Sequence, residues 1–244
     1  MSFEVKKYEK LSANALKIIA LICMTCDHIG LFFGNIYILR LIGRIAFPIF
    51  AFFIAEGCVY TKNKAKHLGL IALFATVFQI VYSIAFKTIY ISIFGTFTLS
   101  IVLIYLYNYY KNNYNNRSSL KYLSLLFLLF SIAIIYYISS QITFDYGFIG
   151  IVTPLCIYIF KSKKTKLISL LIMCLALSGV SIYENLNTRY EWLGYLSIFS
   201  MLSIPLLALY NGKKGEYNLK YLFYFYYPVH LVVLYIIYFF VISK

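Results

Sequence analysis

Residues 16–33 read LKIIALICMTCDHIGLFF, and this stretch decides the fold. As a helix, an apolar run of this length crosses the roughly 30 Å hydrocarbon core of a bilayer. Asp27 and His28 interrupt the run. A charged side chain near the bilayer centre costs roughly 2.5–3.5 kcal/mol on the insertion scale, so such residues usually pair or do chemistry. The stretch therefore predicts a membrane helix that bears functional residues.

The composition extends this interpretation to the whole chain. Of the 244 residues, 62% are hydrophobic and 12% are charged, with a mean hydropathy of +0.82. A soluble domain is nearer one quarter charged. We therefore predict an all-α fold, a polytopic integral membrane helical bundle with one transmembrane domain over residues 1–244. The first ten residues mix both charge signs, which does not fit a cleavable signal peptide.

Hydropathy and loop signals predict about nine spans. We place them near residues 12–33, 37–60, 67–86, 89–110, 120–139, 147–160, 166–183, 192–210 and 220–242. The sixth is short for a full crossing and could tilt, thin the membrane or re-enter it.

The distribution of Lys and Arg predicts the orientation. One set of alternate connections carries sixteen of them: Lys6, Lys7, Lys10, Lys62, Lys64, Lys66, Lys111, Arg117, Lys121, Lys161, Lys163, Lys164, Lys166, Lys213, Lys214 and Lys220. The other set carries three: Lys87, Arg189 and Lys244. By the positive-inside rule the N-terminus is cytoplasmic and the C-terminus lies outside. Topology and anionic lipid account for the net charge of +14, so we expect a lipid bilayer as partner and no nucleic acid.

All four prolines fall inside predicted spans: Pro48, Pro154, Pro205 and Pro228. A proline has no N–H to offer the carbonyl four residues earlier, which for Pro48 is that of Arg44. Freed backbone groups are tolerated in membranes where neighbours or water satisfy them. Kinks beside Arg44 and near His230 would fit a polar cavity, whereas simple helix bending is the alternative for Pro154 and Pro205.

The five cysteines lie within the apolar segments and are expected to be buried as small apolar residues: Cys23, Cys26, Cys58, Cys156 and Cys174. Cys23 and Cys26 match a redox spacing, but they lie within a predicted helix without a βαβ context. No spacing of cysteine and histidine indicates zinc, and we expect no metal.

Asp27 and His28 are the first candidate site residues. Neighbours on a helix point about 100° apart, so the two cannot form a simple face-to-face pair. One of them would face a substrate while the other reaches a neighbouring helix. Histidine titrates near neutrality, which makes His28 the preferred general base. The alternative is a buried histidine that bonds another helix.

Arg40 and Arg44 lie one turn apart in the second predicted span. Arg40 is close enough to the outer surface to snorkel. Arg44 is deeper and needs a carboxylate, for which Asp27 is the natural candidate on the preceding antiparallel helix. The pair is either structural or places Arg44 to stabilise a developing oxyanion.

Three further positions carry ionisable groups. Glu56 is either a second acid or base or a partner of the lysines that follow it. Asp145 precedes the short sixth span, where a helix cap is the alternative to a functional role. His230 lies too deep in the last span for an interfacial residue.

The order K-I-I-A-L-x-x-M-x-x-D-H-I-G, then L-R-L-I-G-R-I-A-F-P-I-F-A-F-x-x-x-E-G, resembles the TraX family. Two later blocks also resemble it, F-D-Y-G-F-x-G around Asp145 and F-Y-x-x-Y-P-V-H ending at His230. The resemblance runs from about Leu16 to the C-terminus. The matching positions are Asp27, His28, Gly43, Arg44, Pro48, Glu56, Asp145 and His230.

The resemblance implies a bacterial inner-membrane, multi-pass acyltransferase. The founding activity of TraX proteins is N-terminal acetylation of pilin, and they are distantly similar to type-three membrane acyltransferases. The expected donor is acetyl-CoA or another acyl-CoA, drawn to the lysine-rich cytoplasmic loops. The acceptor is an amine or hydroxyl of an unidentified protein, peptide, glycan or lipid.

The resulting hypothesis assigns a role to each candidate. His28 takes the acceptor's proton, Asp27 orients or charge-balances the site, and Arg44 stabilises the oxyanion. Five other residues are expected to contact substrate: Arg40, Glu56, Asp145, Tyr146 and His230.

Three rival functions remain. A proton-coupled transporter would also use intramembrane charges and kinked helices, although the Arg44 helix has no counterpart in the second half. A peptide-processing enzyme would use Cys23 or Cys26 as a nucleophile activated by His28. A scaffold without catalytic activity would explain the spans but not the charges.

Overall fold

The computed structural model describes residues 10–114, 119–188, 191–217 and 219–242, apart from the side chains of Ala85, Phe86, Lys220 and Ile242. Some charges that the orientation prediction counts lie outside the described residues: Lys6, Lys7, Arg117, Arg189 and Lys244.

Helices account for nearly all of the described residues. The α-helices are α1 Ala13–Phe32, α2 Tyr37–Gly43, α3 Ala46–Tyr60, α4 Lys64–Phe86, α5 Ile93–Asn113, α6 Leu120–Gln141, α7 Gly147–Ile159, α8 Lys163–Asn185, α9 Glu191–Leu196, α10 Ser203–Ala208 and α11 Lys220–Ile242. A 3₁₀ helix, Ser197–Leu202, joins α9 to α10, and two short strands are β1 Tyr90–Ile91 and β2 Thr143–Phe144.

The predicted class is confirmed, since the chain is an all-α polytopic helical bundle. In the described residues eight helices are long and apolar enough to cross a membrane. This count takes α2 with α3 as one span, and α9, the 3₁₀ helix and α10 as another. The ninth predicted segment is α7, which at 13 residues is shorter than a full span. Large apolar side chains remain exposed on α4, α6 and α11, as expected of helices that face lipid.

The second predicted span is broken at Arg44 and Ile45. The backbone N–H of Arg44 donates to the Leu41 carbonyl, and that of Ile45 donates to the Ile42 carbonyl, each at 3.2 Å. Helix α3 then begins at Ala46, so Pro48 lies in its first turn, where the missing N–H costs no helical hydrogen bond. Pro48 therefore lies within the predicted span 37–60, and the chain breaks beside Arg44, where a kink was predicted.

The eighth predicted span is also divided, into α9, the 3₁₀ helix and α10. Pro205 is the third residue of α10, again in a first turn. Pro154 and Pro228 lie inside α7 and α11, as predicted.

The chain divides into two compact units, Met1–Phe53 with Leu167–Lys244, and Ile54–Lys166. Both boundaries fall within helices, α3 and α8. The prediction of a single domain over residues 1–244 stays a prediction.

In the first unit α1 packs against α2 and α11. The side chain of Ser12 caps α1 by accepting from the N–H of Ala15 at 3.2 Å. Gly34 and Asn35 adopt left-handed φ values of 95° and 56°, which turn the chain between α1 and α2. The two helices therefore form a tight hairpin.

In the second unit α5 packs against α4, α6 and α7. Strands β1 and β2 pair in parallel, with Tyr90 opposite Thr143 and Ile91 opposite Phe144. This pairing holds the connection before α5 beside the connection before α7.

Candidate functional site

Asp27 forms a charge cluster with both arginines of the α1–α2 hairpin. Its Oδ1 lies 2.6 Å from Arg44 Nη2, and its Oδ2 lies 2.8 Å from Arg40 Nη1. The three side chains are 12–16% exposed. The predicted Asp27–Arg44 pair is confirmed, whereas the prediction that Arg40 snorkels to the surface was wrong because the same carboxylate holds it inside.

Gly43 makes this close approach possible. A Cβ at position 43 would lie 2.2 Å from Asp27 Cβ and 2.3 Å from Asp27 Oδ1, distances at which side chains do not coexist. Its small size lets α2 lie directly against α1 at the level of Asp27. Gly43 thus lets the backbone of α2 contact Asp27, and the next residue, Arg44, pairs with the same carboxylate.

The cluster carries an excess of positive charge. Two guanidinium groups face one carboxylate, so the net charge of Asp27, Arg40 and Arg44 is +1 when all three are ionised. Both carboxylate oxygens already accept a guanidinium hydrogen bond. Chemically, the cluster can attract and stabilise negative charge, which suits an oxyanion.

His28 points to a different neighbour, the last helix. Its Nδ1 lies 3.0 Å from Nε2 of His230, and Nδ1 of His230 lies 2.8 Å from the carbonyl oxygen of Tyr226. The carbonyl can only accept, so His230 carries its proton on Nδ1. With both rings neutral, His230 Nε2 accepts from His28 Nδ1–H. The Nε2 of His28 then holds the lone pair that a general base needs.

Aromatic residues of α11 surround this pair. The ring of Tyr226 stacks on His230 with centroids 5.2 Å apart and planes at 16°, and Tyr227 meets His230 edge-on at 5.6 Å. The Tyr226 hydroxyl also lies 2.8 Å from Thr25 Oγ1 on α1. His230 is 6% exposed. These contacts fix α11 against α1 and hold the imidazole beside His28.

In the second unit Glu56 pairs with Lys166, and both side chains are buried. The partner is not one of the lysines that directly follow Glu56, as one alternative had it, but a lysine of α8 110 residues away in sequence. Nearby in the same unit His67 Nδ1 lies 3.0 Å from the hydroxyl of Tyr105. That Glu56 contacts substrate stays a prediction.

Asp145 accepts a hydrogen bond from the hydroxyl of Tyr90. Its backbone is held as well, because its N–H donates to the Ile91 carbonyl at 2.9 Å and its own carbonyl accepts from Thr96 Oγ1 at 2.9 Å. The N-cap position of α7 is occupied by Tyr146, whose φ is 61° and whose side chain makes no capping hydrogen bond. The cap alternative for the Asp145 side chain is therefore wrong, and contact of Asp145 and Tyr146 with substrate stays a prediction.

The structure thus brings five predicted site residues into the first unit, in two adjacent groups: Asp27, Arg40, Arg44, His28 and His230. The second unit contains the other three: Glu56, Asp145 and Tyr146. Their roles in catalysis or binding stay predictions.

Several contact residues had not been predicted: Lys166, Tyr90, Tyr226 and Thr25. The sequence could have indicated Tyr226, because it lies one helical turn before His230 and its carbonyl can reach that imidazole. The sequence gives no indication of Lys166, because it is one of several lysines in residues 161–166 and nothing distinguishes it as the buried one.

The five cysteines are free thiols. Within the described part of the chain no group of three His, Cys, Asp or Glu residues could hold a metal ion. The cysteine-nucleophile alternative needs His28 to activate Cys23 or Cys26. The hydrogen bond of His28 Nδ1 is instead with His230.

The fold and this buried cluster define a multi-pass helical membrane protein with ionisable groups between its helices. The chain belongs to the TraX family, whose model, described as "TraX protein", matches residues 12–238.

Two curated relatives match. One, from Dichelobacter nodosus, is named "Probable fimbrial assembly protein FimC, serogroup H1" and is 29% identical over 241 residues, covering 91% of this chain and 94% of that protein. The other is an uncharacterized protein of Rickettsia prowazekii (strain Madrid E), RP591, 34% identical over 155 residues, covering 63% of this chain and 58% of that protein. No solved structure matches.

Proposed function

We propose that this chain is a membrane-embedded acyltransferase of the bacterial inner membrane. It would move an acyl group, most simply acetyl, from cytosolic acyl-CoA to an amine or hydroxyl of an extracytoplasmic or membrane-associated acceptor. The observation that carries the proposal is the His28–His230 hydrogen bond, because it leaves His28 Nε2 as a proton acceptor beside a cluster of net positive charge.

The chemistry balances with these groups alone. The acceptor N–H or O–H gives its proton to His28 Nε2 as its nitrogen or oxygen attacks the thioester carbonyl. The carbonyl oxygen becomes an oxyanion, which the excess positive charge of Asp27, Arg40 and Arg44 stabilises. When the C–S bond breaks, His28 returns the proton to the thiolate, and the products are an amide or ester and free coenzyme A.

Two further observations support the proposal. Membership of the TraX family suggests acetylation of a pilin-like protein, and the Dichelobacter nodosus relative is named for fimbrial assembly. A protein N-terminus, which is an amine, is therefore the first acceptor to test. Glycan and lipid hydroxyls are the next class.

The test is release of free thiol from acetyl-CoA by the purified full chain in nanodiscs, with candidate peptide amines and sugar hydroxyls as acceptors. We expect turnover in the wild type and a loss of at least about 100-fold in His28→Ala. The matched control is His67→Gln, which should retain turnover. His67 is also a histidine of a membrane helix, but it is bonded to Tyr105 and not to His230.

Equal turnover in His28→Ala and the wild type would reject His28 as the base. Acceptor flux across proteoliposomes without any donor, in the absence of thiol release, would instead favour a proton-coupled transporter.

A further inference from the structure

Lys17 is a charged residue of α1 that the proposed chemistry does not use. It opens the first sequence block that resembles the family, four residues after the helix begins. Its Nζ lies over the ring of Phe53 at 5.1 Å from the centroid and over that of Phe223 at 5.2 Å. Two aromatic faces thus hold the ammonium in place by cation–π attraction.

No carboxylate of the described residues pairs with this ammonium. Lys214 is held near this part of α1, because its carbonyl accepts from the N–H of Asn14, three residues before Lys17. Lys213 and Lys214 are exposed on the connection before α11. Lysines gathered at one end of the first unit lower the energy of a bound anion.

The connection that carries Lys213 and Lys214 is fixed to the start of α1. The carbonyl of Lys213 accepts from the N–H of Ala13 at 2.9 Å, and that of Lys214 accepts from the N–H of Asn14 at 3.0 Å. Asn14 Nδ2 donates to the Tyr217 carbonyl at 2.7 Å. The first N–H groups of α1 are therefore taken, and an anion would be held by lysine ammonium groups rather than by the helix terminus.

Gly215 lets this connection lie so close. Its φ is 99°, and a Cβ there would lie 2.9 Å from Ser12 Oγ and 3.1 Å from Asn14 Nδ2. The backbone thus places the two exposed lysines at the start of α1, about one turn before Lys17. The orientation prediction puts the start of α1 and the connection before α11 on the cytoplasmic side.

We propose that Lys17, with Lys213 and Lys214, binds a phosphate group at the cytoplasmic end of the first unit. The ligand is a phosphate of coenzyme A, and this assignment rests on the proposed acyltransferase function. A phosphate of an anionic lipid headgroup has the same chemistry, and the experiment separates the two sources.

Affinity for coenzyme A is measured with the full chain in phosphatidylcholine nanodiscs, which carry no net anionic lipid. Lys17→Gln removes the charge but keeps most of the stem, and we expect about tenfold weaker binding or more. Lys17→Arg keeps the charge and should stay within about threefold. The matched control is Lys121→Gln, since Lys121 also lies over an aromatic ring, that of Tyr114, in the other unit.

The exposed pair Lys213→Gln/Lys214→Gln gives a second measurement that does not disturb the helix interior. It should weaken coenzyme A binding less than Lys17→Gln, because exposed charges are screened by salt. In a second arm, nanodiscs containing phosphatidylglycerol are used without coenzyme A, and the anionic lipid that stays bound to each variant is counted by mass spectrometry.

The outcomes separate the two proposals. Loss of coenzyme A affinity in Lys17→Gln assigns the site to the donor. Loss of bound phosphatidylglycerol alone overturns coenzyme A as the ligand and assigns the phosphate to lipid. A wild type that binds no coenzyme A overturns it as well and also rejects the proposed donor. Unchanged binding of both ligands in Lys17→Gln overturns the site, whatever the turnover of His28 variants.

Discussion

His28 and His230 are separated by 202 residues, yet their rings share a hydrogen bond of 3.0 Å. The carbonyl of Tyr226 fixes the proton on the far nitrogen of His230. With both rings neutral, His230 Nε2 accepts from His28 Nδ1–H, and the basic nitrogen of His28 is therefore Nε2. His230 is thus a positioning residue, which acts on the reaction through His28.

The first prediction concerns His230. His230→Phe keeps an aromatic ring but removes the acceptor, so His28 is no longer held in one tautomer. We expect kcat to fall by roughly 10- to 100-fold, with KM for acetyl-CoA almost unchanged. His230→Gln supplies an oxygen acceptor and should recover part of the rate.

A spectroscopic measurement makes this prediction independent of turnover. In protein labelled with ¹⁵N-histidine, the wild type should show His28 and His230 both protonated on Nδ1, and His230→Phe should give a mixture of His28 tautomers. A single unchanged His28 tautomer together with full activity would contradict the positioning role.

The second prediction concerns Asp27. Asp27→Asn leaves two guanidinium groups facing each other without a carboxylate, and breaking a buried ion pair in this way costs about 3–5 kcal/mol of folding free energy. Arg40→Gln and Arg44→Gln should each cost less, because the other arginine still pairs with Asp27. Thermal unfolding in one detergent compares the three, with the exposed carboxylate variant Glu184→Gln as the control. Equal melting temperatures for Asp27→Asn and Glu184→Gln would refute the cluster as a stabilising element.

The third prediction concerns Gly43. Gly43→Ala forces α2 away from α1 at Asp27, and overpacking of this kind costs about 1–3 kcal/mol. Separation of the helices also lengthens the contact between Asp27 and Arg44, so activity should fall along with stability.

Gly179→Ala is the matched control for that change, since nothing lies within 4 Å of a Cβ at position 179 of α8. It should be neutral or stabilising by up to about 1 kcal/mol, because alanine favours a helix over glycine. Similar unfolding curves for the two alanine variants would show that Gly43 is not needed for close packing.

The sequence predicted those features that depend on local pattern. Apolar length marked every helical segment, including the short α7, because the hydrocarbon thickness sets that length. The Asp27–Arg44 pair was predicted because a short turn makes consecutive helices antiparallel neighbours.

Features set by tertiary packing were missed. The depth of Arg40 was judged from its distance to the loop, but Gly43 draws α2 against α1 and brings Arg40 to the same carboxylate. Pro48 predicted a kink beside Arg44, but the sequence does not show that the chain divides into two helices before Ala46. Contacts over long sequence separations, such as Glu56 with Lys166, leave no periodic signal in either segment.

The last prediction concerns that pair. Glu56→Gln or Lys166→Met alone leaves a buried charge without its partner and should cost about 3–5 kcal/mol. The double variant Glu56→Leu/Lys166→Met removes both charges and should recover most of the stability if the pair is structural. Measurement of thiol release by this double variant then distinguishes the alternatives for Glu56. A stable double variant with wild-type turnover assigns the pair to folding alone. A stable double variant without turnover places at least one of the two charged groups in the chemistry.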